Sequence, residues 1–249
     1  MSDRWFDGTY YKREITINYR DCNTEKNVFL YYILGIFSEI AGDEALANGT
    51  TYEDLKNIDT VFLITRMSIR FHKTPKCDDA IVFTTWFRTT EGKFYLRDCD
   101  VRTQEGELLA SCSGTWARID INEHRVVDPR DHSNLSMNGF SHKADSPECK
   151  KIVPDSELPV IGYRPVYYTD LDCNYHINNS VYSRIATDFL PAEYQSREVK
   201  DYVINFSKET SIDDALEIRG GKTAGGYIIQ GFCGGIQHFA SEFVFHDIK

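Results

Sequence analysis

Tyr168-Thr169-Asp170-Leu171-Asp172-Cys173-Asn174-Tyr175-His176-Ile177-Asn178-Asn179 crowds side chains of different hydrogen-bonding character into one short stretch of a 249-residue chain. It lies where an extended segment hands over to a helical pattern, with Val181, Ile185 and Phe189 at i, i+4 and i+8, closed by Pro191. Part of the stretch is written twice. Asp21-Cys22-Asn23 repeats Asp172-Cys173-Asn174, and in that register Asn27 falls on Asn178 and Tyr31 on Tyr182. The first copy also runs into a helix, with Leu30, Leu34, Phe37, Ala41 and Ala45 on one stripe. Ile33, Ile36 and Ile40 add a second stripe, so this helix is apolar over much of its circumference and is predicted to be buried.

A second match follows each helix. Ile69-Arg70-Phe71-His72-Lys73 up to Asp78-Asp79-Ala80 aligns with Ile204-Asn205-Phe206-Ser207-Lys208 up to Asp213-Asp214-Ala215. Both read as a strand, a turn and a further strand, Ile81 to Trp86 in one copy and Leu216 to Ile218 in the other. More alternating segments follow, including Phe94 to Val101, Leu108 to Ile121 and Tyr227 to Ile229. Each unit is therefore a strand, a buried helix and a meander of strands. The expected class is α+β, two fused units in which an antiparallel sheet wraps a long central helix. Residues 1–135 and 161–249 form the two units. Residues 136–160, in a stretch rich in Ser, Asn, Asp and Lys, form the linker.

Composition narrows the function. The chain is 41% apolar and 13% aromatic, enough for a real core. A net charge of -10 excludes the basic excess that nucleic-acid binding requires. The N-terminus shows no signal peptide and no apolar run could span a bilayer, so a cytoplasmic protein without membrane insertion is expected. Seven cysteines, odd in number and without a C-x-x-C pair, read as free thiols.

Asp172, Asn174 and His176 stand at i, i+2 and i+4, which an extended chain would spread over roughly 13 Å, so a shared site needs a loop. Asn178, Asn179 or Ser180 is positioned to cap the following helix. Asp170, Asp172 and Asn174 imitate the opening of an EF-hand loop, but Tyr175 and Val181 occupy the places that need Gly and Glu. A structural pair between His176 and one carboxylate stays open on spacing alone. The scattered histidines imply no metal, and nothing points to a cofactor.

The segment Asp172 to Asn179, with the Tyr-containing helix after it, resembles the active-site motif of the plant and bacterial acyl-acyl carrier protein thioesterases. Phe206-Ser207-Lys208-Glu209 resembles that family's second catalytic strand. The resemblance spans nearly the whole chain and implies a tandem hotdog fold. It implies Asp172, Asn174, His176 and Glu209 as the catalytic set, hydrolysis of fatty acyl-carrier thioesters, and an acyl-chain pocket in a non-catalytic first unit. Many plant members have cysteine after the glutamate; here it is Thr210, which removes a thiolate route through that position. Cys173 reads as a small buried residue. In the first copy, the repeat register sets Glu25 against His176 and Thr74 against Glu209.

Hydrolysis needs a nucleophile and an oxyanion site. Amides at the helix start, near Asn178 and Asn179, suit the second. For the first, Glu209 or Asp172 activates water, or Asp172 attacks directly; the sequence leaves this open. Acyl carrier proteins are acidic, as is this chain, and Arg66, Arg70 and Lys73, with His72 and Lys76, form the best basic cluster for docking one. If that cluster is irrelevant, acyl-CoA becomes the better substrate. A non-hydrolytic acyl-binding protein and a hotdog dehydratase are further alternatives, and a homodimer is left open.

Overall fold

The computed structural model describes residues 3–131 and 139–247. The first half runs through β1 (Arg4–Asp7), β2 (Tyr10–Thr16), α1 (Leu30–Ala47), α2 (Tyr52–Lys56), β3 (Thr60–Phe71), β4 (Ala80–Glu91), β5 (Phe94–Thr103), β6 (Leu108–Asp120) and β7 (Arg125–Val126). The second runs through β8 (Val160–Pro165), α3 (Asn179–Asp188), α4 (Ala192–Gln195), β9 (Val199–Phe206), β10 (Ala215–Thr223), β11 (Gly226–Cys233) and β12 (Ile236–Phe245). The described strands form one antiparallel sheet in the order β1-β2-β4-β5-β6-β3-β9-β12-β11-β10-β8, with β7 on the flank of β6.

The two halves meet in the β3–β9 ladder. Ile69 pairs with Tyr202, Ser68 with Val203 and Met67 with Ile204. The sequence repeat equates Ile69 with Ile204 and Met67 with Tyr202, so a pseudo-twofold axis passes through Ser68 and Val203. The strand match is confirmed in detail. His72 and Lys73 amides both donate to Leu109 O, and Ser207 and Lys208 amides both donate to His238 O.

Both helices lie on the inner face of this sheet and pack on one another, with Gly35 of α1 against Ser180 of α3. The expected stripes of α1 are buried at Leu30, Ile33, Leu34, Ile36, Phe37 and Ile40. α3 is shorter, 10 residues against 18. Its buried stripe is Tyr182, Ser183, Ile185 and Ala186, one residue round from the expected one, which leaves Val181 and Phe189 half-buried. Gly114 on β6 is demanded by packing, since a Cβ there would sit 2.3 Å from the Trp116 ring, which meets Phe37 of α1 edge-on.

The segment from 139 to 159 crosses the outer face as a bound strap; the expected linker positions 136–138 lie outside the described residues. Phe140 stacks on Tyr10 and His142 on Trp86. Asp98 accepts the Ala144 amide at 3.0 Å and Ser68 donates to Pro147 O at 2.7 Å. Asn205 and Gln230 each use both ends of the side-chain amide on the strap's backbone. These buried polar side chains replace the water that would otherwise cover an open sheet face.

Several charged side chains lie inside the first half. Glu44 of α1 pairs with Arg97 of β5, which also donates to Thr85 at 3.2 Å. Arg118, two residues beyond Trp116 on the same face, is 0% exposed, and its Nε and both Nη groups have no acceptor among the described residues. A guanidinium cannot shed its charge, so this burial opposes folding. Arg118→Met, of similar volume, is expected to raise stability by about 1–4 kcal/mol. Chemical denaturation of the two proteins measures it, and a destabilised variant would show that the guanidinium is compensated.

Candidate active site

Asp170 anchors the segment. It is 1% exposed and accepts from the Tyr167 amide at 2.9 Å, from Arg164 at 2.8 Å and from Arg184 of α3 at 2.7 Å. Two guanidinium partners and a backbone donor compensate what would otherwise be a prohibitive buried carboxylate. Its carbonyl takes the Asn178 amide at 3.0 Å, and an isolated bridge joins Leu171 to Ile177. Between these pins the chain curls into the loop the spacing demanded. The Asp172 amide donates to His176 O at 2.9 Å, Asp172 Oδ1 accepts the Asn174 amide at 2.8 Å, and Tyr175 takes φ +64° to close the turn.

Glu209 arrives on the segment after β9. Beneath it Thr210 is fully buried, its carbonyl accepting the Ile177 amide at 3.0 Å. The Tyr182 hydroxyl donates to Thr210 Oγ1 at 2.9 Å, and Thr210 Oγ1 lies 2.7 Å from His238 Nδ1. Burial pushes the Tyr182 hydroxyl up to about 12 and draws the His238 imidazole below its ordinary value. Both groups are thus held neutral, in the forms that let tyrosine donate and histidine accept. This latch holds Glu209 beside the loop, where Glu209 Oε2 lies 3.5 Å from His176 Nδ1.

Of the expected set, His176 and Glu209 therefore meet, with side chains 34% and 56% exposed. Asn174 Oδ1 accepts from Tyr52 of α2 at 3.3 Å, so the first half reaches into the loop. Asp172 spends one oxygen on its own turn, and among the described residues no hydrogen bond joins its carboxylate to His176 or Glu209. Cys173, expected to be buried, is exposed, because the curl turns it outward.

Asn178 is the helix cap, its Oδ1 accepting from the Ser180 amide at 3.0 Å and the Ser180 hydroxyl at 2.8 Å. The amides of Asn178 and Val181 are also taken, by Asp170 O and Asn178 O. That leaves the Asn179 amide as the one in this turn without a protein acceptor among the described residues, which narrows the expected oxyanion site. No group of three His, Cys, Asp or Glu among the described residues could hold a metal, and no described helix is long and apolar enough to cross a membrane.

Four of the five side chains of the basic cluster are engaged within the chain. Arg70 is bound to Asp201 at 2.7 Å and Asp145 at 2.8 Å, Arg66 donates to Cys149 O, Lys73 pairs with Glu107, and His72 meets Ser111. Strand periodicity put the cations together, but the carboxylates that neutralise Arg70 come from the strap and β9.

The register between the two loops also needs correction by two residues. The short helical turn Tyr19–Asp21 answers to Tyr168–Asp170, and the bridge Cys22–Val28 to Leu171–Ile177. Lys26 repeats the positive φ of Tyr175, and the Val28 amide donates to Pro75 O as Ile177 does to Thr210 O. Asp21 thus matches Asp170, Asn23 matches Asp172, Glu25 matches Asn174 and Asn27 matches His176. Thr74 stays opposite Glu209. The three-letter match misled because it carried no information on which aspartate is pinned.

The acyl-ACP thioesterase N-terminal domain family matches residues 8–132, and the acyl-ACP thioesterase C-terminal domain family matches residues 158–230. A chloroplastic acyl-carrier-protein hydrolase of Cuphea viscosissima is 23% identical over 85% of this chain and 54% of its own length. The chain spans about half the length of such curated relatives. An acyl-ACP thioesterase from Bacteroides thetaiotaomicron superposes with a TM-score of 0.87 at 17% identity, over 96% of this chain and 98% of that one. The 12:0-ACP thioesterase from Umbellularia californica gives 0.85 at 17%, over 97% and 99%. These likenesses give the architecture its name, a tandem hotdog fold, and the matched domains place this chain in the acyl-ACP thioesterase family.

Proposed function

We propose that the chain hydrolyses fatty acyl thioesters of acyl carrier protein to free fatty acid and the carrier thiol. Asp172, Asn174, His176 and Glu209 form the site, in the half spanning residues 161–249, and the half spanning residues 1–135 supplies the acyl-chain pocket. The approach of His176 to Glu209 carries the reading, because the first copy has Asn27 and Thr74 at those places and no base there. With Nδ1–H directed at Glu209, His176 presents Nε2 to a water molecule. Nε2 takes a proton as the water oxygen attacks the thioester carbonyl. Negative charge moves to the carbonyl oxygen, toward the Asn179 amide at the positive end of α3. Collapse expels the thiolate, a leaving group with a pKa near about 8.5, and the imidazolium returns the proton to it. Asp172 shapes the loop in this route and does not attack.

The pairing of Arg70 with Asp145 and Asp201, and of Lys73 with Glu107, weakens the cluster as a face for an acidic carrier and keeps acyl-CoA as the second reading. Thiol release from carrier and CoA thioesters decides between the two: higher kcat/KM on the carrier form supports the first, and equal or better rates on CoA overturn it.

His176→Ala is expected to lower kcat by about 10²–10⁴. Asp172→Asn, whose amide oxygen can still hold the turn, should stay within about tenfold of wild type. A loss for Asp172→Asn as large as that of His176→Ala would overturn this route and make Asp172 the base or the nucleophile.

The Thr210 latch adds a pH dependence. His238 has its folded pKa below its ordinary 6.5, so its contribution to stability is complete above 6.5 and is lost as pH falls through the folded value. The Tm is expected to drop on acidification below 6.5, with a shallower slope in His238→Asn. Equal slopes would remove His238 from the latch.

A further inference from the structure

The short helix α2 is capped at its start and delivers one side chain to the other half of the molecule. Thr51 Oγ1 accepts the Asp54 amide at 3.0 Å and Asp54 Oδ2 accepts the Thr51 amide at 2.7 Å, a reciprocal cap that fixes the first turn. Tyr52, first in the helix, has the Lys56 ammonium 4.9 Å from its ring centre. Its hydroxyl donates to Asn174 Oδ1 at 3.3 Å. The pseudo-twofold counterpart lacks this contact. There Tyr194 of α4 packs on Tyr227 and Phe245, and among the described residues no side chain of α4 bonds to Glu25, the counterpart of Asn174. The symmetry of the two halves therefore does not demand the Tyr52 contact. It belongs to the end that holds His176 and Glu209.

The contact decides which end of the Asn174 amide is left available. The backbone of Asn174 is already tied to Asp172 Oδ1 at 2.8 Å, so what remains is rotation of the side chain. The two ends of a carboxamide are nearly equal in size, and in water either can point forward. A hydroxyl donating to Oδ1 holds the oxygen toward α2. Both Nδ2 hydrogens are then left as donors, with no acceptor among the described residues. As water attacks a thioester, negative charge grows on the carbonyl oxygen. An Oδ1 turned toward that oxygen would repel the charge, whereas Nδ2–H would stabilise it.

We propose that Tyr52 is a positioning residue of the hydrolytic site, and that the Asn174 amide it orients donates Nδ2–H to the thioester oxygen beside the Asn179 amide. The donor role rests on the thioesterase reading above; the contact does not. Tyr52→Phe removes only the hydroxyl. On the thioester that wild type turns over best, its kcat is expected to fall about three- to tenfold, with KM and Tm unchanged. Asn174→Asp keeps an acceptor for Tyr52 but loses the donor, and its kcat should fall by about 10²–10³. In an Asn174→Ala background Tyr52→Phe should cost nothing further, a dependence that a merely structural tyrosine would not show. Additive losses, or Asn174→Asp at the wild-type rate, overturn the proposal. The side-chain amide signal of Asn174 in a proton–nitrogen correlation spectrum, assigned by its loss in Asn174→Asp, reads the contact without turnover. It should shift in Tyr52→Phe, and an unmoved signal overturns the orientation. A shifted signal in a protein that turns over no thioester removes the hydrolase reading and the donor role with it, while the contact stands. Turnover with an unmoved signal keeps the hydrolase reading and removes Tyr52 from the site.

Discussion

The ladder between β3 and β9 is the constraint on which the rest depends. It turns two half-sheets into one, removes one exposed edge from each, at β3 and at β9, and sets the pseudo-twofold axis at Ser68 and Val203. Once that axis is set, the two copies of the loop must stand at opposite ends, and each end must draw on both halves. Tyr52 of the first half therefore reaches Asn174 of the second. At the other end Leu190 and Arg197 of the second half close over Asn27 of the first. Neither end could be built by one half alone.

Buried polar groups divide into two kinds. Asp170, Thr210, Asn205 and Gln230 are satisfied and hold backbone in place: the first two pin the candidate site, the others bind the strap. Low dielectric strengthens such networks when every member is paired. Arg118, Asn27 and Arg197 retain atoms without a partner among the described residues in the same interior. The same low dielectric makes these costly, which is why they mark places where something other than packing shaped the molecule.

The meeting of His176 with Glu209 was legible only through the family resemblance, since spacing alone left a structural pair with one carboxylate open. Asp170 was not, though it holds the loop. Its importance lies in Arg164 and Arg184, one on a strand and one on a helix, and a sequence string does not say which carboxylate they will meet. Cys173 was misplaced for a related reason: alternation along an extended chain no longer applies once Tyr175 adopts positive φ and the chain curls. The engagement of Arg70 was not legible because the carboxylates that pair with it, Asp145 and Asp201, are distant in sequence.

By itself the sequence determined the duplication, the α+β class and the buried α1, because hydrophobic period and strand alternation are local and survive without contacts. It also determined which copy carries the imidazole and the carboxylate. The tertiary structure decided the register of the two loops, the merging of the sheets, the binding of the strap and which buried charges find partners. Those depend on hydrogen bonds and ion pairs between residues far apart in the chain, whose partners exist only once the β3–β9 ladder has brought them together.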